Sequence, residues 1–240
     1  MFKNISWSRL SFLFLVLTLS GQAQTDELAQ AFERGAAAFQ RGQYEQALFE
    51  YRAALQWPGD HQARAHFNIG VCQHKLGRKQ EAGASYRRAL DARNGAYASA
   101  AYALGITLQD QRQFREARAA FAQAVKASGG KHAEALFELG LEAQRAGDDQ
   151  AAIEHYRQAI VQSKDRLPAC HNNLGVLLIK FGQLDEAQRA FETALARARG
   201  KFTEASDNLA RCQQLRDAAT RRMIAQFTVS EGAPATLRSE

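Results

Sequence analysis

Residues 172–195 read NNLGVLLIKFGQLDEAQRAFETAL and contain two glycines that lie seven positions apart. Most of the other residues favour helix, whereas a glycine inside a helix costs about 0.8–1.0 kcal/mol relative to alanine. Gly182 can end a helix, because many helices close on a glycine. Gly175 has apolar residues with helical spacing on both sides, so its missing side chain must serve packing.

The glycine recurs along the chain at a constant step of 35 residues. The members of this column are Gly35, Gly70, Gly105, Gly140 and Gly175. An aromatic column with the same step consists of Tyr51, Tyr86, Phe121, Tyr156 and Phe191. Two alanine columns contain Ala47, Ala82, Ala117, Ala152 and Ala187, and Ala54, Ala89, Ala124, Ala159 and Ala194. A second glycine column, interrupted only by Arg112, contains Gly42, Gly77, Gly147 and Gly182. A fixed period of roughly 20–50 residues indicates a repeat array.

Each repeat has the pattern of two helices joined by a short turn. In the fifth repeat we predict a first helix from about Pro168 to Lys180 and a second from about Leu184 to Ala198. Small residues allow the two helices to cross closely, and the aromatic residue fills the space between them. We therefore expect Gly105→Leu to destabilise the protein by overpacking. We expect Gly105→Ala to be mild, because a better helix propensity offsets the crowding.

These columns resemble the tetratricopeptide repeat, a helix-turn-helix unit of about 34 residues. With the first glycine at position 8, the family's small residue at 8, alanine at 20, aromatic at 24 and alanine at 27 are present in all five repeats. The step of 35 implies one extra loop residue, and the family's proline near position 32 is missing, although Pro58 lies one place earlier in the first repeat. The resemblance implies an all-α, right-handed superhelical solenoid of five helix-turn-helix repeats with a C-terminal capping helix.

The predicted repeats occupy residues 24–200, with approximate bounds 28–62, 63–97, 98–132, 133–167 and 168–202. Residues 201–223 keep the helical phase but are more polar, which is typical of the capping element that such arrays need. Residues 224–240 show no period and contain Gly, Pro, Ser and Thr, so we predict a disordered tail there.

The N-terminus, MFKNISWSRLSFLFLVLTLSGQAQ, is different in character. Lys3 and Arg9 precede a short apolar run, and small residues surround Ala23. This pattern predicts a secretory signal peptide over residues 1–23. The alternative is an uncleaved anchor, although a spanning helix needs about 20 apolar residues. We expect an exported, periplasmic protein that does not insert into the membrane after cleavage, with secretion or membrane anchoring as alternatives.

Motifs of catalysis and of metal binding are missing from the sequence. The six histidines form no H-E-x-x-H motif, and the three cysteines form no C-x-x-C pair. We predict that the protein is not an enzyme and has no cofactor and no metal site. Cys72, Cys170 and Cys212 fall at positions where the family has small buried residues, so we predict buried thiols rather than a disulfide. The net charge is +6, but basic and acidic residues alternate, which does not favour nucleic acid.

In proteins similar to this one, the first helix of each repeat lines a concave groove. Aromatic residues recur here at position 5 of the first four repeats, with apolar residues one turn later. Basic residues flank them and favour an acidic partner segment. The predicted partner-binding residues are Phe32, Arg64, Phe67, Val71, His74, Lys75, Tyr102, Ile106, Phe137, Leu141 and Arg145. The alternative interpretation is that the apolar side chains are buried between neighbouring first helices.

The predicted function is a non-catalytic, exported scaffold or adaptor that binds a peptide or helix of a protein partner in this groove. One alternative is a structural module that self-associates into a homo-oligomer. A second alternative is a membrane-anchored assembly factor, which would follow if the signal peptide is retained.

Overall fold

The computed structural model describes residues 25–57 and 59–224, and these residues form α-helices with no strand. The predicted signal peptide, residues 1–23, lies outside the described residues, and so do residues 225–240 of the predicted tail. The chain divides into two compact units, the first ending at Glu142 and the second beginning at Ala143.

The first unit contains six complete helices and most of a seventh. These are α1 (25–40), α2 (Tyr44–Ala53), α3 (His61–Lys75), α4 (Lys79–Asp91), α5 (Ala98–Asp110), α6 (Phe114–Ala127) and α7 (Ala133–Arg145). A short 3-10 segment, Ala54–Gln56, follows α2. Helix α3 packs against α2 and α4, and α5 packs against α4 and α6. Helices α2 to α6 therefore each pack against the helix that follows or precedes them in sequence, as expected of a repeat array.

The second unit contains α8 (Asp149–Ser163), α9 (Pro168–Lys180), α10 (Leu184–Arg197) and α11 (Thr203–Ile224). The helices predicted for the fifth repeat are confirmed, because α9 has the predicted bounds and α10 ends one residue earlier than predicted. Pro168 begins α9, where its fixed φ suits the first turn and no backbone N–H is needed. Helix α11 packs against α10 and α9.

The column of glycines in the first helices packs directly under the aromatic column. A Cβ atom added to Gly105 would lie 2.4 Å from Cε1 of Phe121, and one added to Gly70 would lie 2.6 Å from Cε1 of Tyr86. In the second unit the same distance from Gly175 to Phe191 is 2.7 Å. The predicted packing role of Gly175 is therefore confirmed.

The expectation that Gly105→Ala is mild is wrong. Phe121 has no exposed surface, and its ring occupies the space that the alanine methyl would need. Because buried side chains fill protein interiors to crystal-like density, the ring has little room to retreat.

The turn between the helices of a repeat uses a left-handed residue. Gly42, Gly77, Gly147 and Gly182 have φ between 74° and 79°. Arg112 stands at the same place in the third repeat and has φ 60°, although it carries a side chain. The turn geometry is therefore common to these repeats even where the sequence column is broken.

The loops after the second to fifth repeats contain two successive left-handed residues. These pairs are Asn94–Gly95, Gly129–Gly130, Lys164–Asp165 and Arg199–Gly200. The first residue of each pair has φ between 49° and 62° and occupies position 32 of its repeat. Proline is restricted to φ near −65°. This explains why the proline found near position 32 in the family is missing from these four loops.

All three cysteines are buried and none forms a disulfide. The prediction of buried thiols is therefore confirmed. Burial raises the pKa of Cys72 to about 11, so this side chain is a neutral thiol at physiological pH. None of the described helices combines the length and the hydrophobicity needed to cross a membrane.

Candidate partner-binding surface of the first unit

Six predicted partner-binding residues lie at two equivalent positions of three successive helices in the first unit. We call them the apolar strip: Phe67 and Val71 on α3, Tyr102 and Ile106 on α5, and Phe137 and Leu141 on α7. Within each pair the residues are four apart and share one helix face. All six side chains are half-buried. The strip is therefore partly covered and partly open to solvent.

Ring contacts hold the aromatic members of the strip in place. The ring centroid of Phe67 lies 5.9 Å from that of Tyr86, and the ring centroid of Tyr102 lies 5.8 Å from that of Phe121. The same rings contact Tyr97 at 5.3 Å and His132 at 4.8 Å. These are separations at which aromatic pairs attract each other. The rings of Phe67 and Tyr102 are thus oriented before any partner binds.

The structure combines the two interpretations that the sequence left open. Phe67, Val71, Tyr102 and Ile106 pack against the core cluster of the first unit, as the buried interpretation requires. None of the four is fully buried, so each also presents an edge to solvent.

Phe32 differs from the other aromatic residues at its position. Its side chain is only 6% exposed and lies 6.0 Å from the Tyr51 ring. The guanidinium carbon of Arg64 lies 3.6 Å from the centre of the Phe32 ring and covers it. A cleft of about 380 Å³ opens beside this pair, and its lining includes Ala29, Ala36 and Asn68. Phe32 therefore contributes chiefly by supporting Arg64.

The charges beside the strip are mixed, which corrects the expected basic flank. His74 Nε2 lies 3.1 Å from Asp110 Oδ2, and Lys79 Nζ lies 3.5 Å from the same oxygen. The side-chain amide of Gln109 donates hydrogen bonds to Glu138 at 3.0 Å and to Glu142 at 3.2 Å. Lys75 is exposed on α3. Arg145 is exposed and belongs to the second unit.

The phenol of Tyr102 remains protonated in this environment. Burial raises its pKa above the usual value, and the nearby carboxylates of Glu138 and Glu134 raise the pKa further. The hydroxyl group can therefore donate a hydrogen bond at physiological pH.

Two residues of this surface were missed from the sequence. Tyr97 contacts Phe67, and the guanidinium carbon of Arg93 lies 4.8 Å from the centre of the Tyr97 ring. Tyr97 and His132 are themselves 35 residues apart, and each contacts the position-5 aromatic of its own repeat. This shared step was a usable signal for Tyr97, whereas Arg93 belongs to no column.

Family profiles described as tetratricopeptide repeat match residues 32–98, 102–166 and 168–201. Together these matches cover well over half of the chain. The chain belongs to the tetratricopeptide repeat family. The resemblance of the repeat columns to this family is thereby confirmed, and so is the all-α fold class.

Solved structures show the same tetratricopeptide repeat fold. PilF of Pseudomonas aeruginosa aligns with a TM-score of 0.64 and 19% identity, covering 85% of this chain and 100% of that one. MamA from Desulfovibrio magneticus RS-1 aligns with a TM-score of 0.60 and 20% identity, covering 73% of this chain and 97% of that one. YrrB aligns with a TM-score of 0.59 and 20% identity over 70% of this chain and 84% of that one. At these identities the likeness concerns the fold alone. Among curated proteins no sequence match was found.

Proposed function

We propose that this tetratricopeptide repeat protein is a non-catalytic adaptor that binds a peptide or helix of a protein partner along the apolar strip. The observation that carries the proposal is the equivalent placement of six half-buried apolar side chains on α3, α5 and α7. Because ring contacts already orient Phe67 and Tyr102, binding costs little ordering on the side of this protein.

One fold neighbour supports a peptide as the kind of partner. YrrB, which shares the fold, is described as a tetratricopeptide repeat protein with an unusual peptide-binding site. The missing catalytic motifs in the sequence support a binding role rather than a reaction.

The charges beside the strip favour a partner segment of mixed charge with apolar anchors. Arg64 and Lys75 offer positive charge on α3, whereas Asp110 on α5 and Glu138 on α7 offer negative charge. Electrostatic complementarity of this kind sets the orientation of a bound segment more than its affinity. We therefore expect an acidic residue of the partner near α3 and a basic residue near α7.

The proposed location is outside the cytoplasm, with the periplasm preferred. The support is the signal-peptide pattern of residues 1–23, with its basic start, short apolar run and small residues near Ala23. If this segment is retained, the same adaptor would act as a membrane-anchored assembly factor.

The test is capture of the partner with purified mature chain, followed by cross-linking in the exported fraction. Tyr102→Ala is expected to weaken binding at least tenfold, because aromatic hot spots contribute about 2 kcal/mol or more. Arg87→Gln is the matched control, since Arg87 is exposed on α4 outside the strip, and it should bind like the unchanged protein.

Stability must be measured on the same samples, because Tyr102 also contacts Phe121 and His132. If Tyr102→Ala lowers the denaturation midpoint but leaves partner binding intact, the strip is core and the proposed binding surface is wrong.

Exposed apolar side chains favour self-association as a second candidate. In the first unit Phe49 is 70% exposed and Phe114 is 48% exposed. In the second unit Val161 is 69% exposed and Phe181 is 52% exposed. Capture of further copies of the chain alone, together with sedimentation as a dimer or larger species, would favour this function over the adaptor.

A further inference from the structure

Two arginines of the first unit face one cleft without a carboxylate partner. Arg64 on α3 and Arg93 after α4 both line a cleft of about 360 Å³. Neither guanidinium forms a hydrogen bond or an ion pair with any residue of 25–57 or 59–224. Among the described residues of the lining, Asp60 is the one acidic residue, so this part of the cleft carries an excess of positive charge.

Aromatic rings hold both guanidinium groups. Arg64 stacks over Phe32 at 3.6 Å, and Arg93 lies over Tyr97 at 4.8 Å. A guanidinium held through its face keeps the N–H groups at its edge available for hydrogen bonds. The stacking therefore orients the donors without using them.

The positive charges of Arg64 and Arg93 both act on the side chain of Tyr97. Burial raises the pKa of Tyr97, and both Arg93 and Arg64 act against this rise. Tyr97 also lies 5.3 Å from Phe67, so the two arginines stand next to one end of the apolar strip. The third basic group of the cleft, His61, donates from Nε2 to the backbone oxygen of Trp57 at 2.7 Å.

We propose that Arg64 and Arg93 together bind a carboxylate of the partner segment whose apolar residues lie on the strip. Two guanidinium groups can supply several charge-assisted hydrogen bonds to one carboxylate, and these are stronger than neutral ones. The carboxylate belongs to an acidic side chain of the partner. This inference rests on the proposed function and assigns its acidic anchor to a particular site.

The test is a titration of the ¹⁵N-labelled mature chain, observed at the arginine Nε–Hε signals. The first probe is a capped phenylalanine–glutamate dipeptide with an acetyl group and an amide. Its counterpart with glutamine removes the charge alone. A third probe, acetyl-phenylalanine–glutamine with a free C-terminal carboxylate, tests whether the site instead takes a chain terminus. The proposal expects saturable shifts at Arg64 and Arg93 with the glutamate probe and none with the neutral counterpart, and shifts with the terminal carboxylate alone would overturn it.

Substitutions of Arg64 and Arg93 test whether these two residues bind the carboxylate probe. Arg93→Gln should weaken binding of the carboxylate probe about tenfold, the loss expected for one charge-assisted contact. Arg64→Gln should do the same, but it also uncovers Phe32, so Arg93→Gln carries the test if the first variant folds poorly. Arg87→Gln is the matched control and should bind with unchanged affinity.

Equal shifts with the glutamate and glutamine probes, or unchanged binding by Arg93→Gln, would overturn the carboxylate site, as would the lack of any shift at these two arginines. Such a result leaves the adaptor function open, because partner capture and its dependence on Tyr102 are measured separately. Loss of Tyr102 dependence with an intact carboxylate site would instead contradict the proposed strip.

Discussion

At the scale of single residues, the contact between a glycine and an aromatic ring determines how closely the two helices of a repeat approach. An alanine methyl at Gly105 would meet three ring atoms of Phe121 at distances of 2.4–2.9 Å. The glycine and the ring depend on each other. A glycine inside this helix is favourable only because the aromatic ring fills the volume that a larger side chain would occupy.

We predict that Gly105→Ala lowers the free energy of unfolding by about 1–3 kcal/mol, the usual cost of overpacking. Gly83→Ala is the control, because Gly83 is also inside a helix but a Cβ there would have only ordinary contacts at 3.7–3.9 Å. Gly83→Ala should stabilise the protein by about 0.8–1.0 kcal/mol through helix propensity. Urea denaturation followed by circular dichroism measures both effects.

A double variant tests whether the expected destabilisation comes from contact with the Phe121 ring. Adding Phe121→Leu to Gly105→Ala removes the ring from the crowded space. The double variant should therefore lose less unfolding free energy than the sum of the losses of the two single variants. Equal denaturation midpoints for Gly105→Ala and the unchanged protein would mean that the Phe121 ring moves at no cost, and the account of the glycine column would fail.

At the scale of elements, the loops after the second to fifth repeats depend on left-handed backbone rather than on proline. Arg199 has φ 53° and Gly200 has φ 73°, and the N–H of Gly200 donates to the carbonyl of Leu195 at 2.8 Å. The N–H of Arg199 donates to the carbonyl of Ala196 at 3.2 Å. Two successive left-handed residues close α10 in this way, and the loop then leads to α11.

We predict opposite effects for two substitutions at Arg199. Arg199→Gly should stabilise the protein by up to about 1 kcal/mol, because glycine relieves the left-handed strain of a residue with a side chain. Arg199→Pro should destabilise it by about 3 kcal/mol, because proline cannot adopt this φ and removes the N–H. Thermal and urea denaturation of the two variants would check the signs. A stabilising proline would show that this loop can change its backbone conformation freely.

At the scale of the whole molecule, the proposed export would decide which partners the proposed adaptor can meet. The candidate strip and the arginine cleft are formed by residues within 25–142, whereas the export signal is proposed for residues 1–23, which lie outside the described residues. The proposed function at this scale therefore depends on a stretch of sequence that precedes the proposed binding residues.

We predict that the natively expressed protein begins at Gln24, because cleavage after Ala23 follows the small residues of the signal pattern. Mass spectrometry of the intact protein from the periplasmic fraction measures this directly. The control is a variant with Ala23→Arg, which should block cleavage because the recognised position needs a small residue. An unprocessed Met1 terminus in the membrane fraction would instead support the anchored alternative.

The repeat, its two helices and the packing role of the glycine column could be predicted from the sequence. These features depend on helical periodicity and on a step of 35 residues, and both are visible in the order of residues. The bounds of α9 and α10 follow in the same way, because Pro168 and Gly182 act through their own backbone conformations.

Only the tertiary structure decided how far each side chain of the apolar strip is exposed and which charged residues lie beside the strip. Phe67 and Tyr102 are half-buried because rings from residues 19–30 positions away pack on them. The arginine cleft joins Arg64 to Arg93, which belongs to no repeated column. The positive φ of Arg112 and Arg199 was likewise hidden, because neither side chain favours that conformation by itself. Local patterns determine the helices, whereas the surface depends on contacts between residues far apart in the chain.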